Sequence, residues 1–308
     1  MYEKFVDHQH SKGLSDLTIQ SYQTSWNRFV NWFQEQGGNP EEIFHVTQRD
    51  IADYRRYLQR EGGRKGQPAK QSTIKISLLH LKAIFNFFIS EGIVPDNPAQ
   101  HVKQPPKPRR TPKWLSRNEQ NAFLRAVRSS QNIKELAIAI CFLQVGFRVN
   151  ELCEAKIADF KMSDRKGNVL IRGKGDKDRE VPLNSDVRNI LMSYLSWRKD
   201  MFKKIGERDE SPFLFISERG QKYSTRGVQH IIEKYRDKTG IAHLTCHALR
   251  HSFGHDLVTA TPPVRLEVVA RLMGHFKENG DPNIDMTLIY TTPGTEELEE
   301  AVESLTWT

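Results

Sequence analysis

Cysteine is scarce in this chain of 308 residues: Cys141, Cys153 and Cys246 are its only three, and they form no C-x-x-C pair. An odd, scattered set excludes a disulfide framework and a cysteine-rich zinc site, and leaves reduced structural thiols. Long apolar runs are also missing. The longest, Leu136 to Phe147, is broken by Gln144 and falls short of the ~20 residues that cross a bilayer. The opening decapeptide MYEKFVDHQH has no secretory signal pattern, so the expectation is a cytoplasmic protein with no membrane partner. A P-loop is absent too: Gly167 and Gly173 enclose one residue too many, and Gly175 follows Lys174 where Ser or Thr is required. Lysine and arginine, finally, are missing between Glu278 and Thr308, a stretch with eight acidic residues.

That last absence concentrates positive charge elsewhere. The whole chain carries 46 Lys+Arg against 38 Asp+Glu, but up to Lys277 the balance is 46 against 30, a net of +16. Such a body fits a polyanion binder, because each neutralised phosphate releases counterions, and composition alone fits a merely basic surface equally well. Five Trp, sixteen Phe and eight Tyr supply real cores and exclude disorder throughout. The length fits two domains of roughly 150 residues each.

In the first hundred residues only helical periodicity occurs. Ile19, Tyr22, Trp26, Phe29, Val30 and Phe33 recur at spacings of three and four until Gly37 and Gly38. Thr47 and Asp50 form a capping-box pattern that opens a second helix, and Ile74, Leu78, Leu81, Phe85 and Phe88 mark a third. The loop from Gly62 to Lys70 is basic, with Arg64, Lys65 and Lys70 as candidate phosphate contacts. From Lys103 to Arg117 lie four prolines, six basic residues and no acid, a composition that favours extended chain. Lys107, Arg109, Arg110 and Lys113 belong to that run. It reads either as a solvated linker or as a strap along a phosphate backbone.

These signals divide the chain into a helical domain at 1–102, a basic Pro-rich linker at 103–115 and a second domain at 116–308. The second domain opens with a capping box at Ser116 and Glu119 and continues into a nearly all-apolar helix ending at Gly146. Val169 to Arg172 and Glu180 to Leu183 read as two short strands around a Gly173-Lys174-Gly175 turn, and helical patterns resume from Ser185. The expected class is mostly α with a small antiparallel sheet (α+β).

Four polar constellations stand out in the second domain: Arg148 with Glu151, Lys174 in its glycine turn, His247 with Arg250, and His275 followed by Tyr290. Singly, each has a plain structural reading: a helix cap, an ion pair three residues apart, a solvated turn, a helix end, a surface tyrosine. In order, however, they spell G-x-R-x-x-E-L, G-K-G-x-K-x-R, H-x-L-R-H-S-F, G-H and Y. The sequence thereby resembles the tyrosine recombinase (phage integrase) family, in particular its short Xer-like and transposon-borne members, over nearly the whole chain.

The resemblance implies a helical core-binding domain, a catalytic domain and a site-specific recombinase that works without metal, ATP or other cofactor. Tyr290 matches the nucleophile that forms a 3'-phosphotyrosyl link. Arg148 and Arg250 match the phosphate-binding cations, His247 the general base or phosphate contact, His275 the second phosphate contact and Lys174 the general acid. Glu151 matches the acidic position that supports them. The implied partner is double-stranded DNA with an inverted-repeat core site, bound in a homotetramer that exchanges C-terminal helices, in a prokaryotic cytoplasm at the nucleoid. An acidic helix from Glu296 to Leu305, with Leu298, Ala301, Val302 and Leu305 on one side, suits that exchange, although docking on its own domain fits the same pattern.

Two departures stand beside the resemblance. Fourteen residues separate His275 from Tyr290, several more than in compact members, with Gly280 to Asn283 marking the extra loop. The chain also begins with the core-binding helices, so an arm-binding domain is not expected. Two rival readings follow from the residues: a noncatalytic DNA-binding module of the same fold, and a metal-dependent nuclease built on His243, His247, His251 and His255. Residues four apart drift about 40° per step around a helix, which tells against four ligands on one ion.

Overall fold

The computed structural model describes residues 1–105, 113–173, 177–206, 208–217, 220–293, 298–299 and 302–305, without the side chains of residues 40 and 205. The chain divides into two compact units, Met1–Arg110 and Thr111–Thr308. Of the predicted linker, residues 106–112 lie outside the described residues, and with them Lys107, Arg109 and Arg110.

The first unit holds helices α1 (Tyr2–Ser11), α2 (Asp16–Glu35), α3 (Gln48–Arg60) and α4 (Gln71–Ser90). Helix α1 escaped the sequence reading because its ten residues are mostly polar. A single fully buried anchor, Phe5, holds it edge-on to Tyr22 and Phe87. The capping box is present: Thr47 Oγ1 accepts from the Asp50 amide, and the Asp50 carboxylate accepts from the Thr47 amide at 2.7 Å. Trp26, Phe29, Tyr54, Phe85 and Phe88 interlock as the core. Each such burial contributes on the order of 1.5–3 kcal/mol. Helix α4 is long and apolar enough to cross a membrane by composition, but Ile74, Leu78, Leu81, Ile84, Phe85 and Phe88 are spent on this core. Between α3 and α4 the chain reverses through Lys65 and Gly66, both at positive φ, which leaves Arg64, Lys65 and Lys70 exposed.

The second unit contains α5 (Arg117–Arg128), α6 (Ile133–Gln144), α7 (Val149–Glu154), strands β1 (Phe160–Met162), β2 (Gly167–Ile171) and β3 (Arg179–Pro182), then α8 (Ser185–Ile205), α9 (Thr225–Thr239), α10 (Cys246–Val258), α11 (Leu266–Met273) and α12 (Ile284–Thr287). The apolar α6 is the centre of the unit and packs against α5, α8 and α10, as a helix apolar on all sides must. The sheet is antiparallel in the order β1-β2-β3, with Val169 opposite both Phe160 and Val181. Strand β1 has three residues, too few to show an alternation, and sequence reading missed it. Beyond Pro293 the expected acidic helix falls largely outside the described residues; Leu298, Val302 and Leu305 are exposed.

Candidate active site

Helix α6 stops at Gly146, whose φ of 71° reverses the chain and whose Cα lies so close to the Phe253 ring that a Cβ would sit 2.3 Å from it. The reversal delivers Arg148 to the N-cap of α7, not to the C-terminal cap of α6. Glu151, three residues on, accepts from the Arg148 amide and from its guanidinium, each at 2.7 Å. The second terminal nitrogen of Arg148 donates to the Gly274 carbonyl at 3.2 Å. Arg148 itself stays exposed.

Helix α10 is capped by Thr245, which accepts from the Ala248 amide at 3.0 Å. The three-residue spacing places His247, which is exposed, and Arg250, which is 2% exposed, on one face. Arg250 donates to the carbonyls of Gly146 and Met273, at the C-terminal ends of α6 and α11. Both ends carry the negative pole of a helix dipole, which favours a cation there. Burial and the nearby Arg148 charge lower the Arg250 pKa to about 9, which leaves it charged at neutral pH.

Helix α11 ends at Gly274 in the left-handed conformation, and the turn brings in His275, whose Nδ1 lies 3.1 Å from Thr287 Oγ1. The extra loop closes on itself. Phe276 bridges to Pro282, the Lys277 amide donates to Asp281 at 2.8 Å, and the Asn283 amide donates to the His275 carbonyl at 2.7 Å. Because its two ends meet, the insertion does not carry Tyr290 away: the turn at 288–291 returns the ring to stack on His275, with centroids 5.9 Å apart.

Tyr290 is 1% exposed, packed among Phe253, Val269 and Met273. Gly254 makes room for it; a Cβ there would lie 2.8 Å from the ring. Its hydroxyl lies 3.3 Å from His251 Nδ1. Burial drives the Tyr290 pKa to about 12, against the pull of Arg250 and Arg148. Burial likewise opposes charge on Glu151, but the hydrogen bonds and charges of Arg179, the Arg148 amide and Arg250 outweigh it and hold this carboxyl at about 2.

Beside these groups opens a cavity of about 660 Å³ whose walls include Arg148, Arg172, Lys177, His247, Arg250 and Gly274. Arg148, Glu151, His247 and Arg250 therefore come together at one opening, while His275 and Tyr290 pack behind it. Lys174 lies outside the described residues, although Gly173 and Lys177 line the cavity. Lys113 is exposed at the start of the second unit, and Arg64, Lys65 and Lys70 belong to the first. The histidine ladder divides: His243 Nε2 lies 3.2 Å from the Trp114 carbonyl and His255 stacks on the Trp114 ring, while His247 and His251 meet edge to face with centroids 4.1 Å apart and His251 also reaches Tyr290. Among the described residues, no group of three His, Cys, Asp or Glu could hold a metal.

Sequence reading gave no role to Arg172, Lys177 or Arg179. Arg179 is buried and donates to both oxygens of Glu151, at 2.9 and 2.8 Å. The signal that could have found it is its register: it shares the inward face of β3 with Val181, where an arginine requires a buried acceptor.

The buried His275 and half-buried His251 imidazoles predict a pH dependence of stability. Burial first, then neighbouring cations, lower His275 to about 3; burial, His247 and Arg250 lower His251 to about 4. An unfolded chain protonates both near ~6.5, so between these values it binds more protons than the folded protein. Stability is thus full above about pH 6.5 and falls as the pH drops toward 4. Thermal unfolding at pH 5 is expected roughly 5 °C or more below that at pH 7.5, and an unchanged midpoint would contradict neutral rings.

Comparison with known proteins agrees with this geometry. Residues 113–297 match the phage integrase family, and residues 3–92 match the phage integrase N-terminal SAM-like domain. The chain is 30% identical to the tyrosine recombinase XerC of Thermodesulfovibrio yellowstonii over 93% of its length and 89% of that protein. It is also 30% identical to the tyrosine recombinase XerA of Pyrococcus horikoshii, over 98% of this chain and 92% of that protein. Its fold is similar to that of the XerH site-specific recombinase bound to a palindromic difH substrate, with a TM-score of 0.74 and 20% identity, covering 98% of this chain and 83% of that one. A lambda integrase dimer on a COC' core site shares the fold at a TM-score of 0.66 and 18% identity, over 99% of this chain and 77% of that one. With both units matched and four of the motif residues gathered at one cationic cavity, the chain belongs to the phage integrase family and is a tyrosine site-specific recombinase that breaks and rejoins DNA.

Proposed function

We propose that this recombinase cuts DNA by attack of Tyr290 on a phosphate held in the cavity, leaving a 3'-phosphotyrosyl link and a free 5'-hydroxyl. The observation that carries the assignment is Arg250, buried and pinned between two helix ends with Arg148 and Glu151 beside it. Fixed guanidinium groups stabilise charge developing on the non-bridging oxygens at no cost of reorganisation. His247, at the mouth, contacts the phosphate or accepts the attacking proton, and Lys174 donates a proton to the departing 5'-oxygen. A phenolate is a better leaving group than an alkoxide, so the covalent step is nearly isoenergetic and reversible, and no nucleotide is consumed.

In the resting arrangement the nucleophile is protonated and stored behind the phosphate site. Strand cleavage therefore includes a movement of the 288–291 turn that brings Tyr290 and His275 to the phosphate. The same burial favours, as a second reading, a DNA-binding module that never cleaves.

The substrate is duplex DNA with inverted-repeat core sites, held by the basic loop residues Arg64, Lys65 and Lys70 and by the basic run at 103–115. Four copies assemble on two sites, and the acidic C-terminal segment, with Leu298, Val302 and Leu305 exposed, docks on the neighbouring copy. The relatives come from prokaryotes, which supports a cytoplasmic, nucleoid-associated enzyme. A supercoiled plasmid carrying two copies of the gene's flanking repeats tests this reading. Recombinant product is expected with excess EDTA and no nucleotide, and lost when residues 295–308 are deleted. Product that requires Mg²⁺ would overturn the metal-free mechanism, and full activity of the truncated chain would overturn the exchange.

A further inference from the structure

Among the described residues, Arg179 is a buried cation at this site to which the proposed chemistry assigns no part. It opens β3, five residues after Lys174 in the sequence, and its side chain is 2% exposed. Its Nε donates to the Leu272 carbonyl at 2.9 Å, and its two terminal nitrogens donate to Glu151 Oε1 at 2.9 Å and Oε2 at 2.8 Å. One guanidinium thus ties β3 to α7, which bears Glu151 and follows Arg148, and to the end of α11, which leads into His275. Gly274 completes the arrangement: a Cβ there would lie 2.9 Å from an Arg179 terminal nitrogen, so the left-handed glycine lets the chain pass over the side chain.

The decisive feature is how the carboxylate is shared. A carboxylate has about four acceptor sites. On Oε1 one is taken by the Arg148 guanidinium and one by Arg179; on Oε2 one is taken by the Arg148 amide and one by Arg179. Glu151 is therefore saturated, and Arg250 stays 3.7 Å from it, beyond hydrogen-bond reach. Remove Arg179 and two vacated lone pairs draw Arg250 onto the carboxylate and invite a second guanidinium bond from Arg148, turning both away from the cavity.

The geometry points to Arg179 as a positioning residue for strand cleavage: by filling half the acceptor capacity of Glu151, it keeps Arg250 off that carboxylate and holds Arg148 to a single guanidinium bond there, so that both stay at the cavity for the scissile phosphate. This rests on the proposed assignment of those two arginines to the phosphate. Arginine is specific here, because a lysine keeps the charge but cannot span both oxygens and the Leu272 carbonyl.

The test compares a normal nicked substrate with one whose scissile phosphate is a neutral methylphosphonate, which has less charge for the arginines to stabilise. Arg179→Gln is expected to slow cleavage of the phosphodiester about 100-fold and Arg179→Lys about 10-fold, with DNA affinity within about 3-fold of the parent. On the methylphosphonate the Arg179→Gln deficit shrinks to about 10-fold or less, as do those of Arg148→Ala and Arg250→Ala. Where Arg179→Gln does not fold, Arg179→Lys, which keeps a cation beside the Glu151 carboxylate, carries the same comparison. If the Arg148 and Arg250 variants recover on the neutral substrate and the Arg179 variants do not, Arg179 has only a structural part and the inference falls. If the Arg148 and Arg250 variants also fail to recover, the phosphate assignment itself is wrong.

Discussion

Phenylalanine at position 290 is expected to reduce covalent DNA adduct by at least about 10⁴-fold, to background, while the protein still folds and binds its site. The reason is chemical first. A tyrosine whose oxygen is removed cannot form the phosphotyrosyl link. The fold should tolerate the change because the ring stays, and with it the contacts to Phe253, Val269 and Met273. The loss is a single 3.3 Å hydrogen bond to His251, worth on the order of 1 kcal/mol. Unfolding temperature should therefore move by only a few degrees. A gel shift at matched salt gives affinity, and an SDS gel of a nicked, labelled duplex gives adduct. Loss of both at once would point to a folding defect and remove Tyr290→Phe as evidence about the nucleophile.

Lysine in place of Arg250 should be nearly as damaging to the reaction, with a loss of roughly 10²–10³ in the rate of cleavage. Arg250 does two things that a point charge on a flexible stem cannot do together. It bridges the Gly146 and Met273 carbonyls, and so ties the ends of α6 and α11, and it keeps a planar fork beside the cavity. A lysine would reach one carbonyl and leave the other buried acceptor unpaired, a cost of about 1–3 kcal/mol in stability. Arg250→Lys should thus melt several degrees lower yet bind DNA with near-parent affinity, because most binding energy comes from the many backbone contacts elsewhere. Single-turnover cleavage and a melting curve on one preparation separate the two effects. Cleavage within about 5-fold of the parent would show that the guanidinium does not meet the phosphate.

The parts of this molecule that could be read from sequence are those set by local periodicity and by fixed spacing. The Thr47 and Ser116 capping boxes form as written, and His247 and Arg250 share a face because they are three residues apart on α10. Short or polar elements were not legible. Helix α1 depends on Phe5 reaching rings that are distant in sequence, and β1 exists only because β2 lies beside it. The role of Arg179 depends on a strand register and on a partner 28 residues away. The burial of Tyr290 was equally hidden, since it arises from the missing side chain of Gly254 and the closed ends of the 276–283 loop. The loop looked in sequence like a disturbance of the nucleophile; pairing between His275 and Asn283 makes it a side excursion instead.

The most direct test of the account is to trap the adduct on a nicked duplex bearing the flanking repeats, in EDTA, digest it with protease and sequence the peptide that remains on the DNA. The account predicts one peptide, carrying a phosphodiester between Tyr290 and a 3' end. A linkage to Tyr223, Tyr235 or any other residue would contradict the assignment of the nucleophile, and specific binding with no adduct at all would leave a protein that holds DNA without cutting it.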